Sequence, residues 1–481
     1  MLLWFFVGAM ASYGFAPNYL WPLTVISIAV AYLYVNRPRD GFAWGAGYGI
    51  FSITWTLSSI FTYDGYTDKY EWFYPIGLLL IGGFYGIIWA CPFYLSRKAM
   101  AKSRGELPGV MDRPLYFAAA CAVIAWIWER HVFHGWPWNP IANLWINTDV
   151  ALLMRYIGAI GLTFITIGMI ASVAELIKTL YSNYNSKCRM LNFKFLIFFA
   201  PLLFVPLIPR IDTMTDFRVR IVQPAFPMTE KMETATMAKI IENEIIKMAQ
   251  LPGLDNIDML IFPETAWPWN LSGWNTKLPA FGVPLVTGAN VEENGLLYNA
   301  LLYTDKDGNI IDMFFKFRLT PFSEYRPFGG LIPTPGTYAK GPGPRIINNW
   351  VPMICYEMFL SDSSIPRDSK PDFIINITND SWFGTTSGIF QMVDMARRQA
   401  IESGLPLVRA NYGGISSIID ADGRELQRTE LGMRTIMDGQ IPAAYNGITF
   451  YRRIGLEWML IIILSVSILF VNRRRWRQDA P

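Results

Sequence analysis

The chain has 481 residues, of which 52% are hydrophobic and only 16% are charged. Average soluble domains are about 45–50% apolar and roughly 25% charged, so this composition argues against a purely soluble protein. The net charge of +3 is small and gives no indication of a nucleic-acid partner. The apolar residues are concentrated before about residue 210 and after about residue 453. This distribution predicts membrane-spanning parts on both sides of a polar domain.

Eight apolar segments approach or exceed the length needed to cross a membrane, which is about 20 mainly apolar residues. They lie at 2–16, 18–35, 42–62, 72–95, 115–130, 151–177, 193–209 and 454–471. Because the first is short and stops at Pro17, the first two also fit one helical hairpin. A cleaved signal peptide is the alternative, since Ala9-Met10-Ala11 resembles a cleavage site. No Lys or Arg precedes the apolar run, which favours an uncleaved helix in a bundle of about eight spans.

Basic residues follow every even-numbered span, and short basic loops mark the cytoplasmic side of a membrane. Those after spans two, four, six and eight are Arg37, Arg39, Arg97, Lys98, Lys102, Arg104, Arg113, Lys187, Arg189, Lys194, Arg473, Arg474, Arg475 and Arg477. The loop after span three instead carries Asp64, Asp68 and Glu71 against Lys69. A basic tail alone would also suit lipid headgroups or nucleic acid, but four loops in register favour a defined sidedness.

This sidedness predicts both termini in the cytoplasm and the polar segment on the opposite side of the membrane. The predicted domains are seven spans over 1–209, a catalytic domain over 210–453, an eighth span over 454–472 and a basic tail over 473–481. The spans carry few ionisable residues apart from Glu175, which argues against a transporter.

The polar segment is predicted to be an α/β domain. Short β-rich runs occur at Arg218–Gln223, Met259–Phe262, Pro284–Thr287, Val351–Ile354 and Asp372–Ile377, and a helical pattern covers Thr229–Ala249. Strands that alternate with helices form a sheet covered by helices. Ligands in such folds bind beyond the carboxyl ends of the strands.

Three chemically useful residues lie at such places. Glu264 and Cys355 each follow an apolar strand, and Lys316 lies in a charged stretch before a Gly/Pro-rich loop. Each alone is a weak signal, because a lone Glu is usually a cap, a lone Lys a surface residue and a lone Cys a small buried apolar group. Together the three residues are typical of a nucleophile with a base and a stabilising cation.

A cysteine nucleophile in this segment needs a base other than histidine, because the only two histidines, His131 and His134, lie between apolar spans. A free thiol has a pKa near 8.5 and is only slightly ionised at neutral pH. Glu264 is the candidate base, Lys316 can stabilise both thiolate and oxyanion, and the backbone N–H of Tyr356 can donate to the same oxyanion.

These residues belong to a series of motifs that resembles the nitrilase superfamily. The series is Pro263-Glu264-Thr265, then Lys316 with Pro321-Phe322-Ser323-Glu324-Tyr325, then Cys355-Tyr356-Glu357, then Asn379-Asp380-Ser381-Trp382-Phe383-Gly384. The resemblance implies an α-β-β-α sandwich with a triad of Glu264, Lys316 and Cys355. With seven spans before and one after this domain, the whole chain resembles the apolipoprotein N-acyltransferase family of the bacterial inner membrane.

That resemblance implies a ping-pong reaction without a metal or an organic cofactor. Cys355 would take an acyl chain from the sn-1 ester of a phospholipid, usually phosphatidylethanolamine, and form a thioester. The α-amino group of a diacylglyceryl-cysteine at a lipoprotein's N-terminus would then receive the chain. The catalytic domain would lie on the periplasmic side.

Further residues follow from the same resemblance. Glu324 would orient Lys316 or share a proton with Glu264, and Glu357 would hold the lysine, while a structural role is equally open for Glu324, Tyr356 and Glu357. The chain departs from the family pattern at Met232, near a position expected to be tryptophan, and at Ser323, where glycine is usual. Ser323 is awkward only if its φ is positive.

An aromatic segment directly after Glu264 contains Trp267, Trp269 and Trp274. Because Trp favours the membrane–water interface, we expect this loop to dip into the outer leaflet and admit lipid, with a packed hydrophobic lid as the alternative. Trp382 is either a wall of the acyl pocket or a core residue. A membrane-tethered amidase and a non-catalytic scaffold remain the competing functions.

Overall fold

The computed structural model describes residues 1–62, 64–102, 112–183, 197–231, 234–327, 338–360 and 364–472. The predicted basic tail, the loop residues Arg104, Lys187, Arg189 and Lys194, and Met232 therefore lie outside the described residues. A helical part at both ends of the chain surrounds a two-sheet domain in the middle.

Among the described residues, the helical part contains eight α-helices. They are α1 (Leu2–Ala11), α2 (Trp21–Tyr34), α3 (Pro38–Ile53), α4 (Asp64–Tyr70), α5 (Tyr74–Lys102), α6 (Asp112–Arg130), α7 (Met154–Asn183) and α11 (Phe450–Asn472). Helices α7 and α11 are each interrupted by a glycine with positive φ, Gly158 and Gly455. Many apolar side chains of the helices pack on one another. Many other apolar side chains point outward, including Leu79, which is 76% exposed.

The membrane-crossing prediction is supported in part. Among the described residues, the stretches Thr67–Arg97 and Asp149–Tyr181 are long and apolar enough to cross a membrane, whereas the apolar helices at Leu2–Gly14 and Trp21–Tyr34 are shorter. The described part of predicted span seven forms a 3-10 helix at Ala200–Leu207, which contains two prolines. Proline removes a backbone donor and disfavours a regular α-helix there. The number of eight spans stays a prediction.

Twelve strands in the described residues form two sheets. They are β1 (Met214–Gln223), β2 (Met259–Ile261), β3 (Leu271–Ser272), β4 (Leu285–Glu293), β5 (Leu296–Thr304), β6 (Ile310–Phe315), β7 (Trp350–Ile354), β8 (Phe373–Thr378), β9 (Leu407–Asn411), β10 (Ser417–Ile419), β11 (Glu425–Arg428) and β12 (Thr435–Pro442). The first sheet has the order β12-β1-β2-β4-β5-β6, with β3 beside β4, and the second has the order β11-β10-β9-β8-β7. The pairs β1–β2, β2–β4, β7–β8 and β8–β9 are parallel.

The two sheets pack face to face, and a helix covers each outer face. Side chains such as Ile221 and Leu301 from the first sheet meet Ile375 and Val408 from the second. Helix α9 (Ala235–Ala249) covers the first sheet, and α10 (Ser387–Ser403) covers the second and also contacts the helical part. The predicted α-β-β-α sandwich is therefore the observed fold of the polar domain.

One predicted helix differs from the structure. The pattern over Thr229–Ala249 predicts a single helix, but the chain forms a short α8 (Met228–Lys231) and then starts α9 afresh. Thr234 lies in extended conformation as the N-cap of α9, and its hydroxyl accepts the backbone N–H of Met237 at 3.2 Å. An N-cap hydroxyl stabilises a new helix start more than helix continuation, which explains the break.

The domain is inserted into the helical part through adjacent strands. Its first strand, β1, and its last, β12, pair antiparallel with Met214 opposite Pro442. Close to this junction, Arg155 of α7 forms a buried ion pair with Asp422 at 2.6 Å and donates to the carbonyl of Pro209 at 3.3 Å. The segment that enters the domain and the turn between β10 and β11 are thereby held against the start of α7.

Candidate active site

Cys355 lies at a sharp turn directly after β7. Its φ of +49° is in the left-handed region, and the chain continues into a 3-10 helix over Cys355–Phe359. Non-glycine residues with positive φ are uncommon and cluster at functional sites. The turn holds the thiol at the carboxyl end of a fully buried strand, as the strand-end prediction expects.

Glu264 reaches the same region from the first sheet. It follows β2 after two residues and is almost completely buried. Gly288 of β4 passes so close that a Cβ there would lie 2.6 Å from the Cα of Glu264, so only glycine fits. One carboxylate oxygen of Glu264 accepts the backbone N–H of Asn379 at 2.9 Å, which connects the ends of β2 and β8.

Lys316 lies between two carboxylates. Its Nζ is 2.7 Å from Glu324 Oε2 and 3.5 Å from Glu264 Oε1, and it approaches the hydroxyl of Thr320 at 3.3 Å. Burial alone would lower the pKa of Lys316, but the charges of Glu324 and Glu264 outweigh it and raise the pKa well above its usual range. The lysine is therefore a permanent cation in this site.

Asn299, which the sequence patterns did not single out, joins the two carboxylates. Its Nδ2 donates to Glu264 Oε1 at 2.7 Å and to Glu324 Oε1 at 2.8 Å, and its backbone carbonyl accepts the N–H of Lys316 at 2.9 Å. A lone asparagine within the apolar strand β5 was the available signal, because a buried amide requires partners.

Glu264 and Lys316 are near enough to Cys355 to affect its ionisation. Burial raises the pKa of the Cys355 thiol well above its usual range, and the Glu264 carboxylate raises it further. Lys316 and a hydrogen bond with Thr378 lower it, but by less. Cys355 is therefore a protonated thiol at neutral pH, and an attack by its sulfur requires a base within the site.

Glu357 holds the backbone on both sides of the site rather than the ammonium of Lys316. Its Oε1 accepts the N–H groups of Phe317 at 2.7 Å and Arg318 at 3.1 Å, and its Oε2 accepts the N–H of Ile354 at 2.8 Å. Burial raises the pKa of Glu357 to about 8, although these N–H groups act in the opposite direction. The side chain thus ties the residues after Lys316 to the residue before Cys355.

Tyr356 connects the site to the helical part. Its hydroxyl donates to the carbonyl of Gly135, in the loop after α6, and its ring lies 6.3 Å from that of Trp136. Glu324 and Tyr356 thus face in different directions, one toward Lys316 and the other toward the helices. The backbone of Ser323 does not have positive φ; the neighbouring Phe322 does, at +64°.

A buried ion pair supports the strand ends beside Cys355. Arg409 binds Asp380 at 2.5 Å and the Oδ1 of Asn376 at 2.7 Å. The amide nitrogen of Asn376 in turn donates to the carbonyls of Met353 and Cys355 at 3.3 and 3.4 Å. This network fixes the backbone of the cysteine turn from the second sheet.

The four candidate tryptophans have different environments. Trp267 is buried in the core under the first sheet, and Trp269 is half-buried with its Nε1 donating to Glu242 of α9 at 2.9 Å. Trp274 is 51% exposed. Trp382 is half-buried after β8, and its carbonyl accepts a hydrogen bond from the helical part. Among the described residues, no group of three His, Cys, Asp or Glu side chains could hold a metal ion.

Comparisons with known proteins match both parts of the chain. Residues 7–172 match the family model described as apolipoprotein N-acyltransferase N-terminal domain, and residues 218–447 match that of carbon-nitrogen hydrolase. The apolipoprotein N-acyltransferase of Rhodopseudomonas palustris is 26% identical over 97% of this chain and 94% of its own length. That of Bradyrhizobium diazoefficiens is 28% identical over 98% of this chain and 95% of its length. An amidase from the nitrilase superfamily of Nesterenkonia AN1 has a TM-score of 0.35 at 13% identity, covering 49% of this chain and 94% of that one.

Proposed function

This chain belongs to the apolipoprotein N-acyltransferase family of the nitrilase superfamily, and on that premise we propose that it transfers an acyl chain from a membrane phospholipid to a lipoprotein. The acceptor is the α-amino group of an N-terminal diacylglyceryl-cysteine. The observation that carries the proposal is the buried cluster of Lys316 with Glu264 and Glu324 beside the strand-end thiol of Cys355.

In the first half-reaction, Glu264 takes the proton of the Cys355 thiol while the sulfur attacks the carbonyl carbon of the phospholipid's sn-1 ester. Lys316 and the backbone N–H of Tyr356 stabilise the resulting oxyanion; losing one such donor typically costs about 10²–10³ in turnover. The carbon–oxygen bond then breaks, and Glu264 returns the proton to the departing glycerol oxygen. The products are an acyl-Cys355 thioester and a lysophospholipid.

In the second half-reaction, the lipoprotein amine attacks the thioester and gives up a proton to Glu264. The Cys355 sulfur leaves and takes the proton back, so the enzyme returns to its starting state with an amide bond formed. Glu324 and Glu357 act by position, because one holds the ammonium of Lys316 and the other holds the backbone around it. Phosphatidylethanolamine is the proposed donor, and no metal or organic cofactor takes part.

The membrane arrangement completes the proposal. Eight spans, with residues 210–453 as the periplasmic domain and both termini in the cytoplasm, hold the site at the surface of the bacterial inner membrane. The outward apolar side chains of the helical part support this, including Leu79 and Ile87, each at least two-thirds exposed. Tyr356, tied to the loop after α6, connects the chemistry to the helices.

The aromatic segment after Glu264 has a divided role in this proposal. Trp267 and Trp269 stabilise the domain next to the base, because one is in the core and the other is bound to α9. Trp274 is the residue exposed enough to meet the outer leaflet and admit lipid. Trp382 forms part of the acyl-pocket wall, between the second sheet and the helical part.

The decisive experiment is intact-protein mass spectrometry after incubation of the purified full chain with phosphatidylethanolamine and no acceptor. A mass gain of one acyl group that neutral hydroxylamine reverses is expected, and Cys355→Ala should lack it while inserting normally into membranes. Normal transfer by Cys355→Ala would overturn the mechanism. Acylation by small amides but not by phospholipid would instead identify a membrane-tethered amidase.

A further inference from the structure

Two arginine side chains lie together at one end of the helical part, far along the chain from the proposed site. Arg97 ends the apolar stretch of α5, and Arg113 begins α6. The Arg113 guanidinium lies 4.1 Å from the centre of the Tyr32 ring and forms an ion pair of 3.0 Å with Glu175 of α7. Under the proposed membrane arrangement, on which this inference rests, this end faces the cytoplasm.

Part of this cluster stabilises the end of α2. Arg97 donates from Nη2 to the carbonyl of Leu33 at 2.7 Å, and Arg113 donates from Nη2 to that of Tyr32. Both carbonyls belong to the last turn of α2, where backbone acceptors lack helical partners and the helix dipole favours cations. Capping of α2 therefore accounts for the position of one nitrogen of each guanidinium group.

The rest of the positive charge and N–H donors of Arg97 and Arg113 has no matching carboxylate or acceptor within the described residues. Glu175 is the one carboxylate that the described contacts give to the two guanidinium groups, and Arg97 and Arg113 are close enough to act on each other electrostatically. The Nε atoms of Arg97 and Arg113 are buried and have no hydrogen-bond partner in the described part of the chain, and the Arg113 side chain is only 8% exposed. Buried donors of a charged group without partners are costly, so an additional acceptor is expected here.

We propose that Arg97 and Arg113 bind the phosphate of an anionic phospholipid from the cytoplasmic leaflet. A phosphodiester supplies the missing negative charge and several acceptor oxygens, and guanidinium groups suit phosphate because their donors form a planar fork. Basic pockets between helices at the cytoplasmic face are known to hold anionic headgroups. This lipid is distinct from the acyl donor, which reacts on the opposite side of the membrane.

The test measures lipid binding to the purified full chain by native mass spectrometry after delipidation. Phosphatidylglycerol should bind more tightly than phosphatidylethanolamine. Arg97→Gln keeps a polar side chain but loses the charge, and it should weaken phosphatidylglycerol binding about fivefold, the effect of one basic residue near an anionic surface. Glu175→Gln removes the competing carboxylate and should tighten binding by a similar factor, which a purely structural role would not produce.

Lys178→Gln is the matched control, because Lys178 is an exposed cation that lies one turn after Glu175 on α7. It should change binding less than twofold, and equal effects of Lys178→Gln and Arg97→Gln would reduce the site to general surface charge and overturn the proposal. Equal affinity for the two lipids would also overturn it. Competition by millimolar inorganic phosphate would assign the site to free phosphate instead. Acyl-enzyme formation should be unchanged in all three variants, which separates this inference from the proposed function.

Discussion

Replacing Asn299 by leucine removes the donor that joins Glu264 and Glu324 while keeping a similar volume. Glu264 then retains the N–H of Asn379 and the ammonium of Lys316 but loses its 2.7 Å bond from the amide. A hydrogen bond to a charged group contributes about 1.5–3 kcal/mol. At about 1.4 kcal/mol per tenfold in rate, Cys355 acylation should fall roughly 10- to 150-fold.

The assay is single-turnover acyl-enzyme formation from phosphatidylethanolamine, followed by intact-protein mass. Asn290→Leu is the matched control, because Asn290 lies directly opposite Asn299 in the β4–β5 pair and its side-chain oxygen accepts the hydroxyl of Tyr338 at 3.1 Å. That variant should lose less than about threefold, since the bond it breaks is neutral and does not involve Glu264. An Asn299→Leu enzyme as fast as Asn290→Leu would refute the assigned role of the amide.

Three further perturbations test other parts of the site. Glu264→Gln should slow acylation by about 10²–10⁴, the usual contribution of a general base, and a loss under about tenfold would make Glu264 structural. Burial raises the pKa of Cys355, so the reactive thiolate should increase with pH up to about pH 9. Iodoacetamide should therefore alkylate the substrate-free Cys355 about ten times faster for each pH unit between about pH 7 and about pH 9. A rate that reaches a plateau near neutral pH would contradict this. Arg409→Met leaves Asp380 buried without its counter-ion and should destabilise the enzyme by about 3–5 kcal/mol, seen as a lower Tm. Asp380→Asn added to Arg409→Met should recover part of that loss.

The three candidate catalytic residues lie at strand ends, as the sequence patterns predicted, and their catalytic roles stay a prediction. Cys355 follows a strand, Glu264 follows another after two residues, and Lys316 follows β6 directly. These positions are predictable because strand ends are defined locally, by an apolar run that stops at a polar residue. The motifs then supply the chemistry that local pattern alone does not.

Contacts between distant segments could not be predicted in the same way. Asn299 lies within an apolar strand, and its function depends on two carboxylates brought to it by other elements. Glu357 was expected to hold the lysine, and its observed hydrogen bonds are to the backbone N–H groups directly after Lys316. The prediction of one continuous helix over Thr229–Ala249 was wrong. The apolar periodicity continues through Thr234, but the Thr234 hydroxyl caps the start of a new helix there.

The pairing of β1 with β12 has a consequence for how the protein is assembled. The two strands are separated by more than two hundred residues, and loop closure over such a distance makes their pairing a late and slow event. Helix α11 follows at once, and its Leu456, Met459 and Leu460 pack against Ala122 of α6. The short connection from β12 to α11 therefore couples docking of the last helix to closure of the two-sheet domain.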